Sequence, residues 1–205
     1  MAEGFKRRTP SQWGEGAVLK AEILAAAARL LAASGREDAV SLRAVAREVG
    51  ISAPSIYLHF KDRSDLVAAV TQEAYATLLA DLRATWDREA GAGPLPALRA
   101  MARRYCGFAL ENPTRYRLMF GLERVTAPRE QSPQHPVWLL YGAWQDAVAA
   151  CRTARPCAER DRKDALLLWS ALHGIVAIAM ALPFETDREG IARRADDLFD
   201  RVMAE

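Results

Sequence analysis

The sequence predicts an all-α protein of about nine helices. Apolar residues recur at helical spacing in one segment after another, and no segment alternates convincingly with the period of two that a β-strand requires. Residues that start and stop helices lie between these segments. With 205 residues, 51% of them hydrophobic, the chain is long enough for a sizeable core in one domain or two small ones.

The first helix follows a polar stretch at the N-terminus. Residues 1–16 are polar and contain glycine, and we expect them to form a flexible arm. Helix 1 is predicted over about 17–34, and Gly35 is placed to end it. Its apolar residues share one helix face: Ile23, Ala27, Leu30 and Leu31.

Two short helices come next. Ser41 is a good N-cap for helix 2, which ends at Gly50 after about two turns. Ser52 is a second N-cap, and Pro54 lies in the first turn of helix 3, where its missing N–H costs little. Helix 3 is predicted over about 53–59. Two short helices joined by a tight turn containing glycine predict a helix-turn-helix.

The remainder of the chain is also predicted to be helical. Asp62 caps helix 4, which runs to about Glu89, and Asp65 stands where the second residue of a capping box lies. The later helices follow breaks at proline, glycine or polar residues: helix 5 over Pro96–Glu111, helix 6 over Pro113–Gly121, helix 7 over Pro136–Arg152 and helix 8 over Asp161–Leu182, with a loop over 123–135 between helices 6 and 7. Helix 9 opens with a capping box, Thr186 to Glu189.

The helix-turn-helix carries the prediction of function. The second helix of such a motif enters the major groove of DNA, while the first crosses the backbone. A rigid apolar base is expected from Leu42, Val45, Val49, Ile51, Ile56 and Phe60. Small residues and polar tips on the other side give the predicted DNA-binding residues: Ser41, Arg43, Ser52, Ala53, Pro54, Ser55, Tyr57, His59, Lys61 and Arg63. The net charge of +2 lies entirely within residues 1–65, a weak indication of an anionic partner there.

A family resemblance covers roughly residues 17–66. It is carried by Val45-Ala46, Val49-Gly50-Ile51-Ser52, Ile56-Tyr57, His59-Phe60-Lys61 and Leu66. This run resembles the N-terminal signature of the tetracycline-repressor (TetR) family of transcriptional regulators. The resemblance implies that Tyr57, His59 and Arg63 contact phosphates. The family more often has lysine at the last position, but a guanidinium should still bind phosphate.

Each of these residues also has a structural interpretation. Tyr57 could pack its ring between helices, and His59 could brace the domain. Arg43, Arg47 and Lys61 could form a solvated face, and Lys6-Arg7-Arg8 is either a minor-groove arm or a solubilising tail. The joint occurrence of the residues, more than any one of them, supports the DNA-binding prediction.

The long apolar stretch Leu166–Leu182 predicts dimerisation. It is apolar nearly all round and should be covered on several sides. Its length is below the ~20 residues of a membrane span, so we expect a buried helix and no membrane partner. A homodimer through helices 8 and 9 would form a four-helix bundle. Two recognition helices would then read half-sites about 34–36 Å apart, or a multiple of that, on near-palindromic DNA.

A ligand-sensing role is expected for residues 63–205, with residues 17–62 as the DNA-binding domain. Trp169 to Gly174 resembles a Trp-x-x-x-His-Gly motif of one subgroup of TetR C-terminal domains. Aromatic and methionine residues could line a site for a small hydrophobic effector, although ordinary core is the simpler interpretation: Tyr105, Phe108, Met119, Phe120, Trp138, Trp144, Trp169, His173 and Met180. The resemblance implies a repressor released by a ligand-driven population shift.

Other classes of function have less support. We predict no catalytic residue, no metal and no cofactor, because His59, His135 and His173 belong to no recognisable catalytic or metal-binding motif. Three cysteines without metal-type spacing are expected to be reduced thiols in a cytoplasmic protein. An enzyme is one rival. A protein-binding adaptor that kept the fold but lost DNA recognition is the other, and the intact set of Tyr57, His59 and Arg63 argues against it.

Overall fold

The protein is all-α in the part of the chain that its structure describes. A computed structural model describes residues 16–34, 40–120, 135–152, 156–182 and 187–203. Within these ranges there are nine α-helices and no strand, as the sequence predicts. The helices are α1 (Gly16–Ser34), α2 (Leu42–Val49), α3 (Ala53–Ile56), α4 (Arg63–Glu89), α5 (Pro94–Glu111), α6 (Pro113–Phe120), α7 (Val137–Ala150), α8 (Ala158–Ala181) and α9 (Arg188–Met203).

The chain divides into two compact units. The first comprises Met1–Ala74 and Thr114–Thr126, and the second comprises Tyr75–Pro113 and Ala127–Glu205. The division falls inside α4, because this helix is 27 residues long and continues past the helix-turn-helix. We call α1, α2, α3 and α4 up to Ala74 the head. The functional boundary predicted at residue 62 stays a prediction. The predicted arm and the loop over 123–135 lie outside the described residues, apart from Gly16, which begins α1, and His135.

The head has its own apolar core. The predicted base is inside it: Leu42, Val45, Ile56 and Phe60 are buried, and Val49 and Ile51 are partly buried against them. Side chains from α1 and α4 complete the core: Ile23, Ala27, Leu31, Leu66 and Val70. Burial of this apolar surface is the main force that holds the short helices in place.

Local capping fixes the ends of the two short helices. The Ser41 hydroxyl accepts a hydrogen bond from the backbone N–H of Ala44 at 3.1 Å, and the Ser52 hydroxyl accepts one from Ser55 at 3.3 Å. Gly50 ends α2 with φ of 78°, a left-handed conformation that favours glycine. These caps agree with the predicted ones, so the tight turn between α2 and α3 follows from local sequence.

The prediction of α3 over 53–59 is too long. The helix ends at Ile56, and residues 57–59 form a turn. The N–H of Leu58 donates to Ser55 at 3.3 Å and that of His59 donates to Ile56 at 3.0 Å, so each bond spans three residues. Bonds of this span tighten the last turn beyond α-helical geometry.

Other predicted helix ends also shift. The Asp62 carboxylate accepts from the N–H of Asp65 at 2.9 Å, as expected for the cap of α4, but the Asp65 carboxylate accepts from Lys61. Helix α9 is capped by Asp187, whose carboxylate accepts from the N–H groups of Glu189 and Gly190. Thr186, the predicted cap, lies outside the described residues. Helix α7 ends two residues early at Ala150, and α5 and α8 begin two and three residues early at Pro94 and Ala158.

In the second unit, α5 contacts α7, α8 and α9. Ion pairs join α5 to α9: Arg103 donates two bonds to Asp196, and Arg99 pairs with Asp196 and Asp200. The main buried side chains of this unit include Leu98, Tyr105, Phe108, Leu140, Trp144, Leu168, Leu172 and Phe199.

Helix α8 is incompletely covered. It contacts α5, α7 and α9, yet only 28% of its most apolar window is buried. The single chain therefore leaves part of Leu166–Leu182 exposed, and the predicted burial of this stretch on several sides would need the second copy of the predicted homodimer. By length and composition α8 could also cross a membrane. One such helix is only weak evidence for a membrane span, because core helices of other proteins have the same properties.

The three cysteines are free thiols. Burial raises the pKa of Cys106 to about 12 and that of Cys151 to about 11, whereas Cys157 is exposed. Because the thiolate is the reactive form, the buried Cys106 and the half-buried Cys151 are poor nucleophiles near neutral pH.

Candidate nucleic-acid interface

The segment from Ala53 to Phe60 presents one side to the core and the other to solvent. Ile56 and Phe60, four residues apart, are buried at 0% and 2% exposure. Between them Tyr57 is 51% exposed and Leu58 is 85% exposed, and His59 is half-buried. The two apolar anchors fix the orientation of the segment, so Tyr57 and Leu58 project away from the head.

Small and hydroxyl residues surround the start of α3. Pro54 is exposed, and Ala53 and Ser55 are half-buried. The hydroxyl oxygens of Ser52 and Ser55 lie 2.6 Å apart, so both are engaged at the helix N-terminus. Ser41 has the same capping role at α2. Two of the predicted DNA-binding serines, Ser41 and Ser52, are therefore N-cap residues, and each fixes the start of its own helix.

The basic residues of the site differ in how they are held. Arg43 and Lys61 are exposed. Arg63, at the start of α4, donates from Nε to the backbone carbonyl of Val40 at 3.0 Å, while its two Nη atoms bond to none of the described residues. The sequence did not predict this bond, which ties α4 to the residue before the α2 cap. It leaves one edge of the guanidinium available to an anion.

Some of the predicted ligand-binding residues come together in the second unit. The Tyr105 hydroxyl lies 3.3 Å from Nδ1 of His173, and the Tyr105 ring meets the ring of Trp144 edge-on at 5.8 Å. Burial lowers the pKa of His173 below its ordinary value, so its ring is neutral at pH 7. Trp144 is fully buried, and its Nε1 has no hydrogen-bond acceptor among the described residues.

Other predicted ligand-binding residues lie elsewhere. Met119 and Phe120 belong to the first compact unit. Trp138 is 52% exposed, whereas Phe108 is buried. The remaining two, Trp169 and Met180, are half-buried.

Tyr141 contacts two of the predicted ligand-binding residues, although the sequence prediction did not include it. Its ring stacks on Trp169 at 6.1 Å and lies 6.4 Å from Trp138, and its hydroxyl donates to the carbonyl of Arg162. Its position three residues after Trp138 on α7 was the available signal.

A cavity of about 1030 Å³ lies in the second unit, and none of the predicted ligand-binding residues lines it. Its lining combines guanidinium groups with an apolar floor: Thr85, Arg88, Glu89, Leu95, Pro96, Arg99, Ala100, Arg103, Arg104, Gly107, Phe199, Asp200 and Met203. Carboxylates already pair with these arginines, as with Arg104, which bonds Asp81 and Glu111. Among the residues that the structure describes, no group of three or more histidine, cysteine or acidic side chains could hold a metal ion.

Comparison with known proteins identifies the family. Residues 98–205 match the model described as "Tetracyclin repressor-like, C-terminal domain", and residues 23–70 match that described as "Bacterial regulatory proteins, tetR family". The HTH-type transcriptional regulator Rv1816 of Mycobacterium tuberculosis is 28% identical over 113 residues, which are 54% of this chain and 48% of that protein. The chain thus spans about half the length of the curated relatives it matches.

Solved structures share the fold over nearly the whole chain. SCO4313, described as a regulatory protein, superposes with a TM-score of 0.70 at 26% identity, covering 93% of this chain and 98% of that one. A TetR-like transcriptional regulator from Rhodococcus sp. RHA1 has a TM-score of 0.65 at 20% identity, covering 96% and 99%. The helix-turn-helix of the head and the two family matches together place this chain in the TetR family of bacterial transcriptional regulators.

Proposed function

We propose that this protein is a transcriptional repressor that binds a near-palindromic operator as a homodimer and is released by a small hydrophobic effector. The observation that carries the proposal is the orientation of the segment after Ser52. Ile56 and Phe60 fasten it to the core of the head, and Tyr57 and Leu58 project outward. A rigid, outward-facing helix of this kind is what reads the major groove in helix-turn-helix proteins.

In this proposal the DNA contacts divide by chemistry. Tyr57, His59, Arg63 and Lys61 supply donors for phosphate oxygens, which set the position of the protein on DNA. Ser41 and Arg43, at the start of α2, reach the flanking strand. Ala53, Pro54 and Ser55, with Ser52 as the cap, allow the start of α3 to approach the base edges closely.

The exposed side of α8 supports a homodimer. Leu166, Leu167, Ile178 and Leu182 are each about half exposed, and no charged residue occurs between 165 and 182. A Cβ added to Gly174 would meet no atom within 4 Å, so that point of the helix is open to close approach. A second copy of the same face would bury this apolar surface.

Helix α9 takes a different part in the proposed interface. Its exposed residues are all charged: Arg188, Glu189, Arg193, Arg194, Asp197, Asp200 and Arg201. Interfaces between proteins commonly have an apolar centre and a polar rim. We therefore place α8 at the centre of the interface and α9 at its edge.

The effector site is proposed around Tyr105, Trp144 and His173. The buried Trp144 N–H lacks an acceptor among the described residues, and leaving a buried donor unpaired costs about 1–3 kcal/mol. An effector with an apolar body and one acceptor oxygen would satisfy it. Effector binding would favour a conformer whose recognition helices are wrongly spaced, with a coupling of typically ~1–3 kcal/mol. We also propose that the protein is cytoplasmic and that it is not an enzyme.

The direct test selects duplex DNA from a random pool with the purified protein and then measures affinity at graded salt. The proposal predicts saturable, sequence-selective binding that weakens steeply as salt rises. Tyr57→Phe should weaken binding roughly 2- to 12-fold, the worth of one hydrogen bond of about 0.5–1.5 kcal/mol. Arg83→Ala, an exposed arginine of α4 in the second unit, is the control and should bind as wild type.

Two results would contradict the proposal. Absence of any selective DNA binding would favour the adaptor alternative. Binding by the Tyr57→Phe variant that matches wild type would show that the docking geometry is wrong.

A further inference from the structure

The outward side of the segment from Ala53 to Phe60, which comprises α3 and the turn after it, is apolar at its centre. Successive residues of an α-helix turn by about 100°, so residues four apart share a face. Ile56 and Phe60 mark the buried side. Pro54 and Leu58 are also four apart, and Leu58 stands two positions after Ile56 and two before Phe60, which places the pair on the side away from the core. The bonds from Leu58 to Ser55 and from His59 to Ile56 show that the chain continues to wind past the end of α3.

Leu58 contributes little to the fold of its own unit. Its side chain is 85% exposed, the largest exposure among the large apolar side chains that are exposed in the described residues. Single exposed leucines are common on protein surfaces and by themselves need no explanation. This one, however, lies between Tyr57 and His59, at the middle of the surface proposed to face DNA.

Only one apolar group is available at the base edges of the major groove. The floor of that groove presents acceptors and amino donors at every base pair, and thymine adds a C5-methyl group. A leucine at the centre of the recognition surface cannot hydrogen-bond, so the thymine methyl is the group that it complements.

We propose that Leu58, supported by Pro54, reads the C5-methyl of a thymine in each operator half-site. This inference rests on the proposed DNA-binding function and adds a specificity-determining residue to it. It predicts that every half-site selected from a random pool contains a thymine at one fixed position. The preference should depend on the C5-methyl group of that thymine and not on the hydrogen-bonding groups of the base.

Replacement of thymine by deoxyuridine tests the inference at one methyl group, because deoxyuridine pairs with adenine in the same way. Each thymine of the selected operator is replaced in turn, and affinity is measured for wild type and Leu58→Ala. We expect one position per half-site where the replacement weakens wild-type binding about 3- to 10-fold, corresponding to roughly 0.7–1.4 kcal/mol. Leu58→Ala should bind the thymine operator with a similar loss and should no longer respond to the replacement.

Two further variants serve as controls for this test. Leu95→Ala removes another exposed leucine, 44% exposed and located in the second unit, and should bind as wild type. Leu58→Met keeps an apolar tip and should keep the response to deoxyuridine, which separates the methyl contact from any change in folding.

The outcomes distinguish this inference from the proposed function. Wild type that binds selectively, together with an identical deoxyuridine response in Leu58→Ala, would overturn the role of Leu58 and leave operator binding intact. Selected half-sites without a fixed thymine would overturn it as well. A wild-type protein that selects no sequence would overturn both proposals.

Discussion

The head and the second unit differ in where they place the polar ends of their aromatic side chains and in how much apolar helix surface they leave exposed. In the head, a small apolar core is closed, and polar tips such as those of Tyr57 and Arg43 face solvent. In the second unit, polar tips such as those of Tyr105 and Trp144 are buried, while α8 leaves leucine and isoleucine exposed. The head therefore suits a charged, hydrated partner, and the exposed side of α8 suits an apolar one.

Alanine substitution of two matched buried phenylalanines, one in each unit, should give the largest effects and should destabilise the two units independently. Phe60 in the head and Phe199 on α9 are 2% and 3% exposed, and each has a cation over its ring, Lys20 and Arg99 respectively. Replacement of either by alanine should cost about 3–5 kcal/mol of stability. Hydrogen exchange by mass spectrometry should show faster exchange in 42–66 for Phe60→Ala and in 158–203 for Phe199→Ala.

The functional readouts of this pair should also diverge. Phe60→Ala should lose DNA binding and keep the dimer, because α8 and α9 belong to the other unit. Faster exchange spread evenly over both units in either variant would contradict the separation of the two cores.

A charge on the exposed face of α8 should come next in size. Ile178 is 58% exposed in the single chain, and Ile178→Glu would place an unpaired carboxylate in the proposed interface. We expect the dissociation constant of the dimer to increase at least 100-fold, because roughly 3 kcal/mol of association free energy is lost. Sedimentation equilibrium measures the change, and Leu95→Glu on α5 is the control. A dimer of Ile178→Glu as tight as wild type would exclude this face.

Arg63 is expected to act in two ways, as a hydrogen-bond donor that stabilises the head and as a cation that binds phosphate, and two substitutions can separate these roles. Arg63→Lys keeps a cation for phosphate but loses the hydrogen bond from Nε to Val40, so stability should fall by about 0.5–1.5 kcal/mol with affinity nearly unchanged. Arg63→Ala should lose both and lower the salt dependence of binding by about one counterion. Urea unfolding and salt titrations measure the two effects; equal DNA affinity for wild type and Arg63→Ala would contradict the phosphate contact.

The smallest effect concerns the ion pairs between α5 and α9. Hydrogen bonding to Arg103 and the charges of Arg103 and Arg99 hold the pKa of Asp196 below its ordinary value, against burial, which raises it. The stabilisation is therefore present above the ordinary carboxyl pKa and is lost as pH falls through the lowered one. Because Arg103 is largely exposed, we expect less than about 1 kcal/mol.

Urea unfolding of Asp196→Asn from pH 7 down to pH 3 checks this. The difference from wild type should shrink at the acid end. Asp197→Asn, at an exposed neighbouring position, should show no such trend. A difference that grows on acidification would contradict the sign.

The sequence predicts most of the head because its determinants are local. Ser41, Gly50, Ser52 and Asp62 act within a few residues of their own positions, so caps and turns can be read in order. The end of α3 could not be placed in this way, because the tight turn after Ile56 has no glycine or proline to mark it. The bond between Arg63 and Val40 joins residues 23 apart and depends on packing of the whole head.

The second unit was predicted in outline only. Helical periodicity located α5, α7, α8 and α9, but the grouping of Tyr105 with Trp144 and His173 depends on how those helices pack. Aromatic spacing does not distinguish a core from a ligand site, and Trp138, which was expected in the site, is exposed. Part of Leu166–Leu182 stays exposed in the single chain, and its burial on several sides remains a prediction about the dimer.

Footprinting of the wild-type protein on its selected operator tests whether the outward side of α3 lies in a DNA groove twice per dimer. We expect two protected major-groove segments with centres about 34–36 Å apart, or a multiple of that spacing. Simultaneous loss of both segments in Tyr57→Ala is expected. A single protected segment, or a footprint unchanged by that substitution, would contradict the account.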